Sequence, residues 1–254
     1  MEIIINKIQL PDRRELTQNE QLLLCETIKY VIQEYINAKI NIGNRKVEVI
    51  NDANRGYPQF CSVTLNPNNL WERIYLNLKT IIFRNIPQIV YQFSHEFTHY
   101  VIYHVNPNEN QKAKWIEETI CEAMSLVFLH AFDKNWDNIS LSKVSKNFNI
   151  KIQQYLCDCL NEKGNGRLSK CCGLAELQEI NQTSEEQRID RREERRMLFD
   201  YINGEEDIKA LVHYRDYVEP NTILLDTDKY RAAYPDLESV QYLCELQENA
   251  ISKR

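Results

Sequence analysis

Residues 87–105 read PQIVYQFSHEFTHYVIYHV, and this stretch decides the fold prediction. Pro87 suits the first turn of a helix, where a missing backbone N–H costs no hydrogen bond. Outside the His and Glu positions, residues 88–105 carry few polar side chains. We therefore predict a helix that is buried on most of its sides. Asn106 and Pro107 end it, because the residue before a proline is disfavoured in the helical conformation.

The pentapeptide His95-Glu96-Phe97-Thr98-His99 lies in the middle of this helix and matches the H-E-x-x-H pattern. Residues four apart lie on one helix face, so both imidazoles can bind one cation at about 2.0–2.1 Å. Glu96 is rotated by about 100° from His95, which suits a general base beside a metal-bound water. The alternative is a core helix with two hydrogen-bonded histidines. Burying these polar groups without partners is costly, so we favour a metal site, which supplies the partners.

A catalytic zinc ion with an open position needs a third protein ligand. The next predicted helix, residues 109–132, offers Glu117, Glu118 and Glu122. Glu118 and Glu122 share a face, where two like charges repel unless a cation or a hydrogen-bond donor lies between them. This pairing fits one carboxylate that binds the metal and a second that orients a histidine.

The spacing of these residues resembles that of the gluzincin family of zinc metallopeptidases. Glu118 follows the pentapeptide after 18 residues, as in the large zinc aminopeptidases, and residues 115–118, Trp-Ile-Glu-Glu, are similar to their Trp-Leu-Asn-Glu segment. Glu117 stands where that family has Asn, and Thr119 where it has Gly. The sequence has no Gly-x-Met-Glu-Asn segment ahead of the helix, so the resemblance does not imply aminopeptidase activity.

The resemblance implies a role for each residue of the motif. His95, His99 and Glu118 would bind zinc, Glu96 would activate the water, and Glu122 would support the site as an acidic residue does in thermolysin-like relatives. The family's sheet, active-site helix and ligand helix also match the predicted element order of residues 2–132. The implied fold is therefore zincin-like.

Peptide hydrolysis also needs a donor for the oxyanion that develops on the scissile carbonyl. Gluzincins often use a Tyr or a His for this task. The C-terminal part offers four candidates, which are His213, Tyr214, Tyr217 and Tyr230. For His213 the alternative is a structural histidine at or near the surface.

The pattern of elements predicts an α+β fold that contains more helix than strand. Only 6 of 254 residues are glycine, which disfavours a turn-rich β fold. A small mixed N-terminal sheet is predicted from strands at residues 2–10, 46–50, 59–65 and 73–78. Thr17 is predicted to cap a helix that runs to about Ala38. The apolar side of that helix is predicted to comprise Leu22, Leu23, Cys25, Ile28, Val31, Ile32, Tyr35 and Ile36.

The rest of the chain is predicted to be mostly helical, with helices at residues 150–161, 185–203 and 206–217. Residues 188–196 carry a run of mixed charges, which favours a solvated helix face. We predict a zincin-like N-terminal subdomain at residues 1–132 and a helical C-terminal subdomain at residues 133–254.

Charge and composition indicate which classes of partner are expected. The net charge is −6, which disfavours nucleic-acid binding through clustered cations. No stretch approaches 18 apolar residues, and no secretory signal precedes the first strand, so we expect no membrane contact and a cytoplasmic location. The 8 cysteines are then expected to be reduced thiols. Cys157, Cys159, Cys171 and Cys172 lack the C-x-x-C spacing of a second zinc site.

These observations predict a zinc-dependent metallopeptidase, endopeptidase-like, that takes a peptide or protein substrate. The first alternative is a non-catalytic zinc-binding, interaction or regulatory protein on a zincin-like scaffold. The second is a zinc hydrolase that acts on a non-peptide amide. The sequence leaves the oligomeric state and the cleavage specificity open.

Overall fold

A computed structural model describes residues 2–5, 16–43, 46–52, 54, 58–64, 70–79 and 83–252 of the chain. Within these residues the fold is α+β, with many helices and one small sheet near the N-terminus. The predicted strand residues 6–10 and 65 lie outside the described residues.

Among the described residues the sheet has four strands and is mixed, as predicted. The strands are β1 (Glu2–Ile5), β2 (Lys46–Asn51), β3 (Gln59–Thr64) and β4 (Leu70–Leu76), in the spatial order β1-β2-β4-β3. β2 runs parallel to β1 and β4, whereas β3 and β4 form an antiparallel hairpin. Alternate residues of β2 and β4 are buried, so one face of these strands packs on the core.

Helix α1 (Gln18–Asn37) begins at Thr17, as predicted, because Thr17 and Glu20 form a reciprocal capping box. Its buried stripe includes Ile28, Val31 and Tyr35. The predicted apolar side was too wide, since Leu22 and Ile36 are exposed. They lie on the flank of the stripe, which shows that apolar character alone does not place a residue in the core.

Helix α2 (Ile86–Val105) contains the H-E-x-x-H pentapeptide and is buried along most of its length, as predicted. Gln92 fixes it to the end of β4, since the amide of Gln92 accepts from the N–H of Asn77 and donates to its carbonyl, at 3.0 and 3.2 Å. Inside the pentapeptide, the hydroxyl of Thr98 and the hydroxyl of Tyr35 on α1 share a hydrogen bond of 2.6 Å. These bonds set the rotation of α2 about its axis.

Helix α3 (Lys114–Lys134) begins later than predicted, after a short 3-10 turn at Glu109–Gln111. The side chain of Asn181 accepts from the backbone N–H of Trp115, at 3.2 Å, and so satisfies one donor of the first turn. The indole N–H of Trp115 donates to the carbonyl of Ile223 at 2.9 Å. The start of α3 is therefore anchored by residues far along the chain.

The remainder is helical, as predicted, but its division into helices differs. The helices are α4 (Asn149–Asn161), α5 (Leu174–Thr183), α6 (Arg192–Tyr201), α7 (Glu205–Val212), α8 (Thr227–Ala233) and α9 (Glu238–Ser252). The predicted helix at residues 185–203 was wrong in extent, because a 3-10 turn at Arg188–Arg191 precedes α6. Helices α5, α8 and α9 were not predicted.

The chain groups into two compact units. One comprises Met1–Val101 and Ser125–Cys159, and the other comprises Ile102–Met124 and Leu160–Arg254. The predicted division was at residue 132. Instead, residues 102–124 group with the C-terminal residues, and residues 133–159 group with the N-terminal residues. In the part of the chain that the structure describes, no helix has both the length and the apolar character needed to cross a membrane.

Candidate metal centre

His95, His99 and Glu118 form a cluster that can hold a metal ion. One ligand atom from each side chain lies within 4.8 Å of the others, with His95 and Glu118 buried and His99 half-buried. Twice the usual zinc–nitrogen distance of about 2.0–2.1 Å is about 4 Å, so one cation can contact all three groups after small side-chain shifts. The sequence predicted these three residues, and the structure brings them together. No second group of this kind is found among the described residues.

The two histidines come from successive turns of α2. Their ring centroids are 5.0 Å apart and the rings are tilted by 70°, so both rings lie on the same side of the helix. Around them the helix is apolar, with Phe93 stacked on Phe97 and Phe97 stacked on Tyr100. Two nitrogens and one carboxylate oxygen form a donor set that can bind a divalent metal ion such as zinc.

Glu96, the predicted general base, is buried beside this cluster. Its Oε1 lies 4.0 Å from Nε2 of His95, and only 3% of the residue is exposed. Glu96 is not one of the three clustered ligands. This position suits a carboxylate that acts on a water near the ligands rather than one that binds the metal.

Glu122 was predicted to orient a histidine, but its contacts go to arginines. Oε2 accepts from Nη1 of Arg195 at 3.1 Å, and Oε1 accepts from Nη2 of Arg191 at 3.5 Å. Nε of Arg188 lies 3.9 Å from the same Oε1. The carboxylate of Glu122 is fully buried, so these arginines replace the hydration that it loses on folding.

The arginine cluster is the feature that sequence reasoning missed. Residues 188–196 were predicted as a solvated face, yet Arg191 and Arg195 are 0% and 3% exposed. Arg195 also donates to Glu162 at 2.8 Å, and Arg191 lies 3.9 Å from Oε2 of Glu118. A signal was present in the sequence, because Arg188, Arg191 and Arg195 recur at i, i+3 and i+7.

Glu117 belongs to a separate buried cluster. Its Oε2 accepts from Nε and Nη2 of Arg215 at 3.0 and 2.7 Å. Tyr214 donates its hydroxyl hydrogen to the same oxygen at 2.5 Å. Burial would lower the pKa of Arg215, but the charge of Glu117 raises it. The cluster ties the 3-10 turn Tyr214–Tyr217 to the first turn of α3.

The predicted oxyanion donors have other partners in the structure. Tyr214 is fully buried, and burial together with the charge of Glu117 raises the pKa of its phenol well above the ordinary value. Nδ1 of His213 lies 2.9 Å from Oδ2 of Asp216 on the same turn. Tyr230 donates to the carbonyl of Ala210 at 3.0 Å and stacks on Tyr217. His213 is not part of the group formed by His95, His99 and Glu118.

The cysteines form no metal cluster within the described residues. Cys157 and Cys172 are exposed, whereas Cys159 and Cys171 are buried. The free thiols include Cys25, Cys121, Cys157, Cys159, Cys171, Cys172 and Cys244.

Comparison of the chain with protein-family models, with curated proteins and with solved structures gives no match. The function is therefore inferred from the residues of the site.

Proposed function

We propose that this chain is a zinc-dependent metallopeptidase of the gluzincin type, in which His95, His99 and Glu118 hold the metal. The observation that carries the proposal is the convergence of these ligands on a buried site that also contains Glu96. An H-E-x-x-H helix with a glutamate ligand on the following helix is typical of zinc peptidases. The fold supports the proposal only through the order of its elements along the chain. A small sheet is followed by the motif helix and then by the ligand helix.

The role of each group in the proposed site follows from its chemistry. Zinc, when bound, lowers the pKa of a coordinated water toward about 7 and polarises the scissile carbonyl. Glu96 takes the proton from the attacking water and returns it to the leaving amine. Its burial keeps competing water away from the carboxylate. Tyr214 donates to Glu117 inside a buried cluster, so its substitution would also disturb that cluster, whereas His213 is half-buried and pairs with Asp216.

The first test combines metal content with peptide cleavage. The purified wild-type chain should contain about one zinc per molecule and cleave members of a peptide library, with activity lost on chelation. Glu96→Gln should keep the zinc and lose at least about 100-fold in kcat, because the general base is gone. Glu206→Gln on α7, where the side chain is 72% exposed, is the control and should leave both unchanged.

Two results would contradict the proposal. Wild-type protein that binds no zinc, even after incubation with the metal, would remove the site. Zinc binding without cleavage of any peptide, with Glu96→Gln indistinguishable from the wild type, would favour a non-catalytic zinc-binding or regulatory protein.

A further inference from the structure

We propose that Arg191 is a positioning residue for the metal ligand Glu118, with Glu122 as its counterion. This inference rests on the metal site of the proposed function and assigns a task to the arginine cluster behind it. The cluster comprises Arg188, Arg191 and Arg195 together with Glu122.

The geometry links one guanidinium nitrogen to two carboxylates. Nη2 of Arg191 lies 3.9 Å from Oε2 of Glu118 and 3.5 Å from Oε1 of Glu122. The side chains of Arg191 and Glu122 are both 0% exposed, and that of Glu118 is 9% exposed. Water therefore contributes little to the charge balance around Nη2.

Charge balance explains why a second carboxylate is present. A fully buried guanidinium needs an anionic partner, because an unpaired buried charge is strongly destabilising. If Glu118 were that only partner, Arg191 and a metal ion would compete for one carboxylate. Glu122 is a second counterion of Arg191, so Glu118 is not its only anionic partner and can direct its charge toward the metal while the guanidinium restricts its orientation.

The partners of Glu122 hold this arrangement in place. Arg195 donates to Glu122 at 3.1 Å and to Glu162 at 2.8 Å, so Glu122 is fixed from a second side. Glu118 and Glu122 lie one turn apart on α3, and Arg191 bridges them. The acidic pair that the sequence suggested is therefore separated by a guanidinium donor.

The test measures metal binding rather than turnover. Arg191→Lys keeps the charge but loses the planar fork of donors. We expect its zinc dissociation constant, measured by competition with a chromophoric chelator, to rise by about 10–100-fold, the usual effect of removing a group that orients a ligand. The visible absorption spectrum of the cobalt-substituted protein should also change, because the geometry of Glu118 changes.

The matched control is Arg215→Lys. Arg215 is also a buried arginine paired with a glutamate of α3, but its partner is Glu117. This variant should lose stability and keep both the zinc affinity and the cobalt spectrum of the wild type. A general loss of packing would change the zinc affinity and the cobalt spectrum of both variants. The proposed role predicts these changes in Arg191→Lys alone.

A second variant decides the case if Arg191→Lys does not fold. Glu122→Gln keeps the shape and removes the charge, so Arg191 turns to Glu118 and zinc binding weakens. Wild-type affinity and an unchanged cobalt spectrum in the folded variants would overturn the inference. If His99→Ala and Glu118→Ala still lose zinc, the proposed function survives that result. If the wild type itself binds no metal, the proposed function fails, and this inference with it.

Discussion

Glu117 and Glu118 are neighbours on α3, and both are buried, but their surroundings differ. Glu117 is enclosed by Tyr214 and Arg215, which donate three hydrogen bonds to one of its oxygens. Glu118 groups with His95 and His99. Consecutive residues point about 100° apart on a helix, so each glutamate meets different elements. Residue type and burial therefore do not assign a role to either glutamate, whereas the side chains that face each one do.

The two clusters also differ in how their arginines are used. Arg215 makes close bonds to Glu117, which suits a structural tie. Arg191 lies farther from its carboxylates, at 3.9 Å from Glu118 and 3.5 Å from Glu122, which fits the proposed role of orienting Glu118. The clusters can therefore be separated by experiment, because one should control stability and the other metal binding.

The largest effect on stability is expected from Glu117→Gln. The substitution leaves Arg215 buried with Glu109 as its remaining carboxylate partner. Removing one member of a buried ion pair costs about 3–5 kcal/mol, which urea unfolding should show as a lower free energy of unfolding. Zinc affinity should stay that of the wild type. A loss of zinc without a loss of stability would reverse the roles of the two glutamates.

The control for this substitution is Glu109→Gln. The side chain of Glu109 is 60% exposed and lies 3.4 Å from Nη1 of Arg215. Because water screens this carboxylate and Arg215 keeps Glu117 as its buried partner, the loss should be at most about 1 kcal/mol, and this variant should unfold almost like the wild type.

A smaller effect is expected from Tyr214→Phe. The substitution removes the hydroxyl that donates to Glu117 and leaves a buried acceptor with one bond fewer. The expected cost is about 1–3 kcal/mol of stability, measured by urea unfolding. Peptide cleavage by the folded variant should match that of the wild type if the hydroxyl serves Glu117 alone. A selective loss of kcat with unchanged stability would instead support Tyr214 as the oxyanion donor.

Glu194 is also a buried glutamate, but it differs from Glu117 and Glu118 because it has no arginine partner in the described part of the chain. Its Oε1 accepts from the N–H and hydroxyl of Ser169, and its Oε2 has no hydrogen-bond partner among the described residues. Burial raises the pKa of this carboxyl, although the bonds from Ser169 oppose the shift. A raised pKa means that the group favours the folded state below its unfolded pKa of about 4.3 and that this contribution is lost as pH rises through the folded value.

The pH dependence of Glu194→Gln tests this reasoning. The stability of the wild type relative to the variant should be greatest at about pH 4, near the unfolded pKa, and should fall toward pH 7. Urea unfolding of both proteins across this range gives the difference directly. A constant difference would show that Glu194 titrates alike in the folded and unfolded states.

Much of the local structure could be predicted from the sequence. The capping box at Thr17 and the proline after Asn106 bound two helices where they were expected. The i,i+4 spacing of His95 and His99 placed both rings on one face. These features depend on residues within one or two turns, whose geometry the regular backbone sets.

Contacts between distant segments could not be predicted in the same way. The run at residues 188–196 has a charge pattern that suits either a solvated face or a buried network, and only its partners distinguish them. Those partners, Glu118 and Glu122, lie about 70 residues earlier in the chain. The sequence therefore gave no reason to match the arginines with this acidic pair.

The amino-acid sequence is sufficient to predict a buried helix with the H-E-x-x-H motif, a small mixed sheet before it and a glutamate-rich helix after it. Only long-range packing shows that Glu118 joins the histidines, that Glu117 binds Tyr214 and Arg215, and that Glu122 faces arginines. The physical reason is that helical periodicity fixes the angle between neighbouring side chains, while long-range packing fixes what each side chain meets.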